Sequence, residues 1–126
     1  MGEGKGRILV VEDDPDAALF AIHVLANRAS FEVIHTADPW EALALAAAQR
    51  WDLVLTDVEM PGMSGLELLD ALRRVAPALP FAVLSAHVCP PDLLARAEVF
   101  LSKPVRIDQL ISTATTLIGR TRRTGQ

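Results

Sequence analysis

Five short apolar runs, each followed by a longer amphipathic stretch, constrain this chain more than any single residue does. Arg7 to Val11 (RILVV) reads as a buried strand, and Asp16 to Arg28 as a helix with Ala18, Ile22 and Leu25 on one face. Phe31 to Thr36 (FEVIHT) is the second strand. Pro39 to Gln49 is the helix after it, with Asp38 as its N-cap. Asp52 to Thr56 (DLVLT) precedes a Pro/Gly-rich loop, Glu59 to Gly65, and a helix over Leu66 to Val75. Pro80 to Leu84 (PFAVL) is the fourth strand, and a short helix starts near Pro91. Val99 to Leu101 is the fifth strand and Ile107 to Ile118 the last helix. Strands this apolar on both faces belong in a parallel sheet covered by helices on each side. The expected class is α/β: a single doubly wound five-stranded parallel sheet, (βα) repeated five times, with a shortened or irregular fourth helix. One domain spans residues 7–119, between a disordered segment 1–6 and a C-terminal tail or linker start at 120–126.

Composition argues against several kinds of partner. A net charge of −4 leaves no concentrated basic surface for a polyanion. The cluster Arg120, Arg122 and Arg123 reads as a solvated helix end or tail, with weak DNA contact as the lesser reading. The lone cysteine, Cys89, cannot close an internal disulfide, which suits a reducing compartment. No apolar run approaches a membrane span, and Met1 to Gly6 lacks the apolar core of a signal peptide. The expectation is a cytoplasmic domain that contacts neither nucleic acid nor membrane.

In an open α/β sheet, ligands sit beyond the carboxyl ends of the strands. The first strand runs into Glu12, Asp13 and Asp14, and the third into Asp57. The fourth ends on Ser85, and the fifth on Lys103 before Pro104. Each has an ordinary reading alone: Asp13 and Asp14 cap a helix, Asp57 starts a turn, Ser85 is a small strand-end residue, Lys103 is a surface lysine. Coincidence at four strand ends is harder to accept than one site. Clustered carboxylates repel one another unless a cation relieves them, and a hard divalent ion with oxygen ligands does so. Acids beside a lysine and a hydroxyl fit phosphoryl transfer, where catalysis is mainly positioning and charge neutralisation.

The blocks VVEDD (Val10 to Asp14), LTDVEMPGMSG (Leu55 to Gly65), LSA (Leu84 to Ala86) and FLSKP (Phe100 to Pro104) resemble the four signatures of response-regulator receiver domains. The likeness covers roughly Arg7 to Leu117. It implies a flavodoxin-like sheet of order 2-1-3-4-5. It also implies two-component phosphorelay signalling, in which Asp57 accepts a phosphoryl group from the phosphohistidine of a histidine kinase or histidine phosphotransfer protein. Such a domain promotes its own phosphorylation and dephosphorylation but is not otherwise an enzyme. By the same resemblance, Asp14 and Asp57 ligate Mg2+ through their carboxylates and Glu59 through its backbone carbonyl. Asp13 holds a metal-bound water or joins the ligand set. Lys103 pairs with the phosphoryl oxygens, Ser85 hydrogen-bonds the phosphorylated state, and Phe100 rotates inward with it, unless Phe100 is a plain core aromatic. The Lys103–Pro104 peptide is expected to be cis. Glu59 and His87 occupy positions that tune hydrolysis of the phosphoryl group, or else are a solvated loop acid and an exposed loop histidine. The resemblance allows a phosphorylation-dependent dimer; the downstream partner or output domain is not readable.

Several features depart from that pattern. Ser85 to Lys103 is short by about one helical turn, with Pro90 and Pro91 where the fourth helix would begin. Ser64 stands where the family commonly has an acid, and can still cap the third helix. Trp40 and Trp51 flank the second helix and are expected to pack its ends. His23 and His35 have no metal-ligand spacing with each other or with Cys89. The shortened helix leaves an alternative: a receiver-like interaction module that works without phosphorylation. A haloacid-dehalogenase-type phosphatase would need Asp where Glu59 stands. A flavodoxin would need a phosphate loop where Glu12 to Asp14 stand.

Overall fold

The computed structural model describes residues 6–86 and 91–124. Five parallel strands form one sheet: β1 (Arg7–Val11), β2 (Glu32–Thr36), β3 (Leu53–Asp57), β4 (Phe81–Ser85) and β5 (Val99–Ser102), in spatial order β2-β1-β3-β4-β5. The expected order is therefore observed. Side chains alternate across it, as strand geometry requires. Leu9, Val11, Val54, Phe81 and Val83 face one core, which is completed by α2 (Pro39–Ala48), α3 (Gly65–Val75) and Leu93 of α4 (Pro91–Leu94). Ile8, Val10, Leu53, Leu55, Ala82 and Leu84 face the other, covered by α1 (Pro15–Ile22) and α5 (Ile107–Thr124). These near-continuous apolar runs are buried because both faces of the sheet are covered.

The caps follow local chemistry. Asp14 accepts from Asp16 N at the start of α1, and Asp38 from Trp40 N at the start of α2. Ser64 and Glu67 form a reciprocal capping box on α3. Between β3 and α3 the chain makes a two-residue antiparallel ladder, Glu59–Met60 with Met63–Ser64. Pro61 and Gly62 close it, with Gly62 at φ 94, where glycine bears no Cβ penalty.

Gly65 answers a different need. A Cβ there would lie 2.4 Å from Val58 Cβ, an atom fixed to the backbone. Gly65→Ala is expected to cost roughly 1–3 kcal/mol through overpacking, against the small gain in helix propensity. The check is a lower urea midpoint at an unchanged denaturant slope.

Several local expectations change. The helix expected over Asp16 to Arg28 is α-helical only to Ile22, and His23–Arg28 forms a π turn. Apolar spacing at Ile22 and Leu25 is compatible with either form, so periodicity does not separate them. Gly6, assigned to a loose terminus, is buried, and its carbonyl accepts from Glu32 N. The last helix continues to Thr124 rather than ending at Ile118. Trp51 packs as expected: it is 8% exposed, its indole donates to Leu45 O, and the Arg7 guanidinium lies over the ring. Trp40 does not, being 62% exposed. Among the described residues α4 is a single turn, so the shortened fourth helix is observed. The turn after it is tied to α3 by Arg96 to Asp70 and by Arg73 to the Arg96 carbonyl, and Arg96 also donates back to the Asp92 carbonyl of α4.

Candidate functional site

The site lies at the carboxyl ends of β1, β3 and β5. Glu12 follows β1 directly and continues the Ile8–Val10 alternation. Its side chain therefore turns inward, and it is 1% exposed. Asp57 closes β3 and is 4% exposed. The carboxylates of Glu12, Asp13 and Asp57 place an oxygen each within 4.8 Å of one another. Lys103, after β5, sends its ammonium between two of them, 3.0 Å from Glu12 Oε1 and 3.4 Å from Asp57 Oδ2. The Lys103–Pro104 peptide is cis.

Hydrogen bonds fix the carboxylates. Asp57 Oδ1 accepts from Glu59 N at 3.0 Å, so the first residue of the small ladder orients the central acid. Glu12 Oε2 accepts from Asp14 N at 3.2 Å. Glu12 Oε1 is buried, and among the described residues its partner is the Lys103 ammonium. Burial raises the Glu12 pKa above the ordinary value; the Lys103 contact opposes this, and the Asp57 charge adds to it. Burial works against the Lys103 charge, but Glu12 and Asp57 outweigh it and hold the ammonium pKa above its usual value. Three carboxylates against one ammonium leave an excess of two negative charges if all are ionised. A divalent cation matches that excess, and the buried Glu12 carboxylate offers an oxygen ligand of the right kind.

The other expected site residues divide. Ser85 is buried at the end of β4, one step beyond the Asp57–Leu84 pairing, and its carbonyl accepts from Lys103 N at 2.9 Å. Phe100 is partly buried against the core face of α2 and α3. Glu59 is exposed and meets the site through its backbone. His87 lies outside the described residues, as does Cys89. Asp14 is the correction. Its carboxylate is exposed and caps α1, outside the cluster. Pro15 begins the helix, so Asp14 must be the extended cap residue and its side chain turns to the helix N-terminus. Glu12, left without a role in the sequence reading, takes the inward place. Strand alternation was the signal that could have found it.

The fold and the site together define a doubly wound α/β domain with a carboxylate–lysine centre at its strand ends. The sequence matches the response regulator receiver domain family over residues 8–115. The chain belongs to that family, and is thus a signalling domain of two-component response regulators. It is 38% identical over 109 residues to a response regulator receiver protein of Anaeromyxobacter sp. strain Fw109-5, covering 83% of this chain and 45% of that protein. It is 34% identical over 123 residues to the transcriptional regulatory protein PrrA of Mycobacterium bovis, covering 94% and 52%. The chain thus spans about half the length of these relatives. Among solved structures, the receiver domain of the sensor histidine kinase PA1611 from Pseudomonas aeruginosa PAO1, with magnesium coordinated in its active site cleft, superposes with TM-score 0.84 at 25% identity, over 92% and 99% of the two chains. A CheY-like receiver domain protein from Methanospirillum hungatei JF-1 shares the fold at TM-score 0.87 and 24% identity, over 95% and 98%. Among the described residues, no helix is long and apolar enough to cross a membrane.

Proposed function

We propose that Asp57 accepts a phosphoryl group from a phosphohistidine on a histidine kinase or phosphotransfer protein. The observation that carries this reading is the Lys103 ammonium lodged between buried Glu12 and Asp57. An Asp57 carboxylate oxygen attacks phosphorus; the phosphorus–nitrogen bond breaks and the imidazole leaves. The Glu59 N–H orients the attacking carboxylate through Oδ1. Lys103 is close enough to shift from Asp57 to the oxygens of the incoming group, where charge-assisted contacts are strong. Glu12, Asp13, Asp57 and the Glu59 carbonyl are the groups that would hold Mg2+, which when bound supplies positive charge against the phosphoryl oxygens. Ser85 and Phe100 then carry the change of state toward the short α4, and Glu59, two residues after the acceptor, tunes hydrolysis of the product. Exposed Phe20 lines a cleft of about 480 Å3 together with Ala17, Pro104, Val105 and Lys103. That apolar rim beside the acceptor suits docking of the phosphodonor protein.

The test is incubation with acetyl phosphate and Mg2+, read by intact mass. The expected result is a gain of one phosphoryl group that disappears when a chelator removes the metal. No gain on the folded wild-type chain would sink the reading and favour an interaction module that works without phosphorylation.

A further inference from the structure

Glu12 is held from its neighbouring strand by contacts unrelated to Lys103. Its N–H donates to Thr36 O at 3.0 Å, and its carbonyl oxygen lies 2.8 Å from His35 Nε2. A carbonyl can only accept, so His35 Nε2 carries the proton. The two bonds come from consecutive residues of β2, one backbone and one side chain, and grip the Glu12 residue at both ends. The second runs to the peptide that joins Glu12 to Asp13, two of the three clustered carboxylates. We infer that His35 is a positioning residue: its Nε2–H clamps the Glu12–Asp13 peptide and so presets both carboxylates for a divalent cation. This rests on the reading above, in which those carboxylates hold Mg2+.

The physical reason is preorganisation. Glu12 lies just past the end of β1, and beyond its N–H bond to Thr36 O the strand ladder no longer fixes the chain at Asp13. Like charges packed together would drive the loop outward in the metal-free protein. A donor on the Glu12 carbonyl resists that rotation without adding a competing ligand. Outer contacts of this kind orient metal-binding groups and raise affinity. His35 is exposed on β2, so its imidazole is not required to fill either core.

Two substitutions separate the clamp from a strand-packing role. His35→Gln keeps an N–H donor, whereas His35→Val keeps strand propensity and removes the donor. Mg2+ titration by calorimetry should show affinity weakened roughly fivefold in His35→Val, as expected for one lost hydrogen bond, with His35→Gln close to wild type. Phosphoryl uptake should recover in His35→Val at saturating Mg2+. Long-range proton–nitrogen NMR of the metal-free protein should place a proton on His35 Nε2. Equal Mg2+ affinity in all three proteins, or a ring protonated on Nδ1 alone, overturns the clamp and leaves the phosphoryl-acceptor reading standing. Absence of Mg2+ binding by the wild-type chain overturns both.

Discussion

Asp57→Asn is expected to take up no phosphoryl group under conditions that modify the wild-type chain. The replacement keeps shape and one acceptor, so the bond from Glu59 N to Oδ1 can persist and the turn after β3 has no reason to open. It removes the nucleophilic charge. It also removes one partner of Lys103, but the ammonium keeps Glu12 Oε1 at 3.0 Å. The Asp57 charge is among the influences raising the Glu12 pKa, so its loss relieves repulsion in the cluster. The variant should therefore fold at least as well as wild type in the absence of metal. Loss of uptake then reports chemistry and not unfolding. Intact mass after acetyl phosphate treatment, with a denaturation curve on the same sample, makes the comparison. Equal uptake by the two proteins would remove Asp57 as the acceptor and leave Glu12 and Asp13 as candidates.

The scaffold was more legible in the sequence than the site's detail, for identifiable reasons. Apolar runs such as Ile8 to Val11 and Phe81 to Leu84 have few alternatives once both faces must be buried. Asp57 and Lys103 each close a strand in isolation, so their position at the sheet's edge follows from the strand itself. Glu12, Asp13 and Asp14 are consecutive, and type alone cannot say which of three acids turns inward. Alternation from Ile8 and Val10 decides for Glu12, while Pro15 decides that Asp14 is a cap. The contact from His35 to the Glu12 carbonyl spans two strands and has no local signature. Trp40 is exposed although an aromatic residue beside a helix start is ordinarily buried, and only the packing of α2 distinguishes the two outcomes.

Phe81→Ala should produce the largest loss of stability of any change considered, about 3–5 kcal/mol. Phe81 has no exposed surface and heads the fully buried side chains by size. It stands at the start of β4, on the face shared with Leu9, Val54 and Leu72. The Arg73 guanidinium lies over its ring at 4.2 Å from the centroid. Arg73 is itself held by the carbonyls of Pro77, Leu79 and Arg96, so it cannot readily sink into the space left by the ring. Glu98 Oε1 accepts from Phe81 N at 2.7 Å, which pins the backbone there as well. A site fixed from three directions collapses poorly, and the cost of truncation rises with the cavity that remains. Against a typical domain stability of about 5–15 kcal/mol, such a loss is a large fraction. Phe81 and Ser85 are the two ends of β4, so the truncation strikes the end of the strand away from the acidic cluster. Molecules that remain folded should still be phosphorylated on Asp57. A large drop in the urea midpoint with uptake preserved at low temperature would place the stabilising core and the reactive centre at opposite ends of one strand. A midpoint near that of wild type would show that the ring contributes far less than its burial implies.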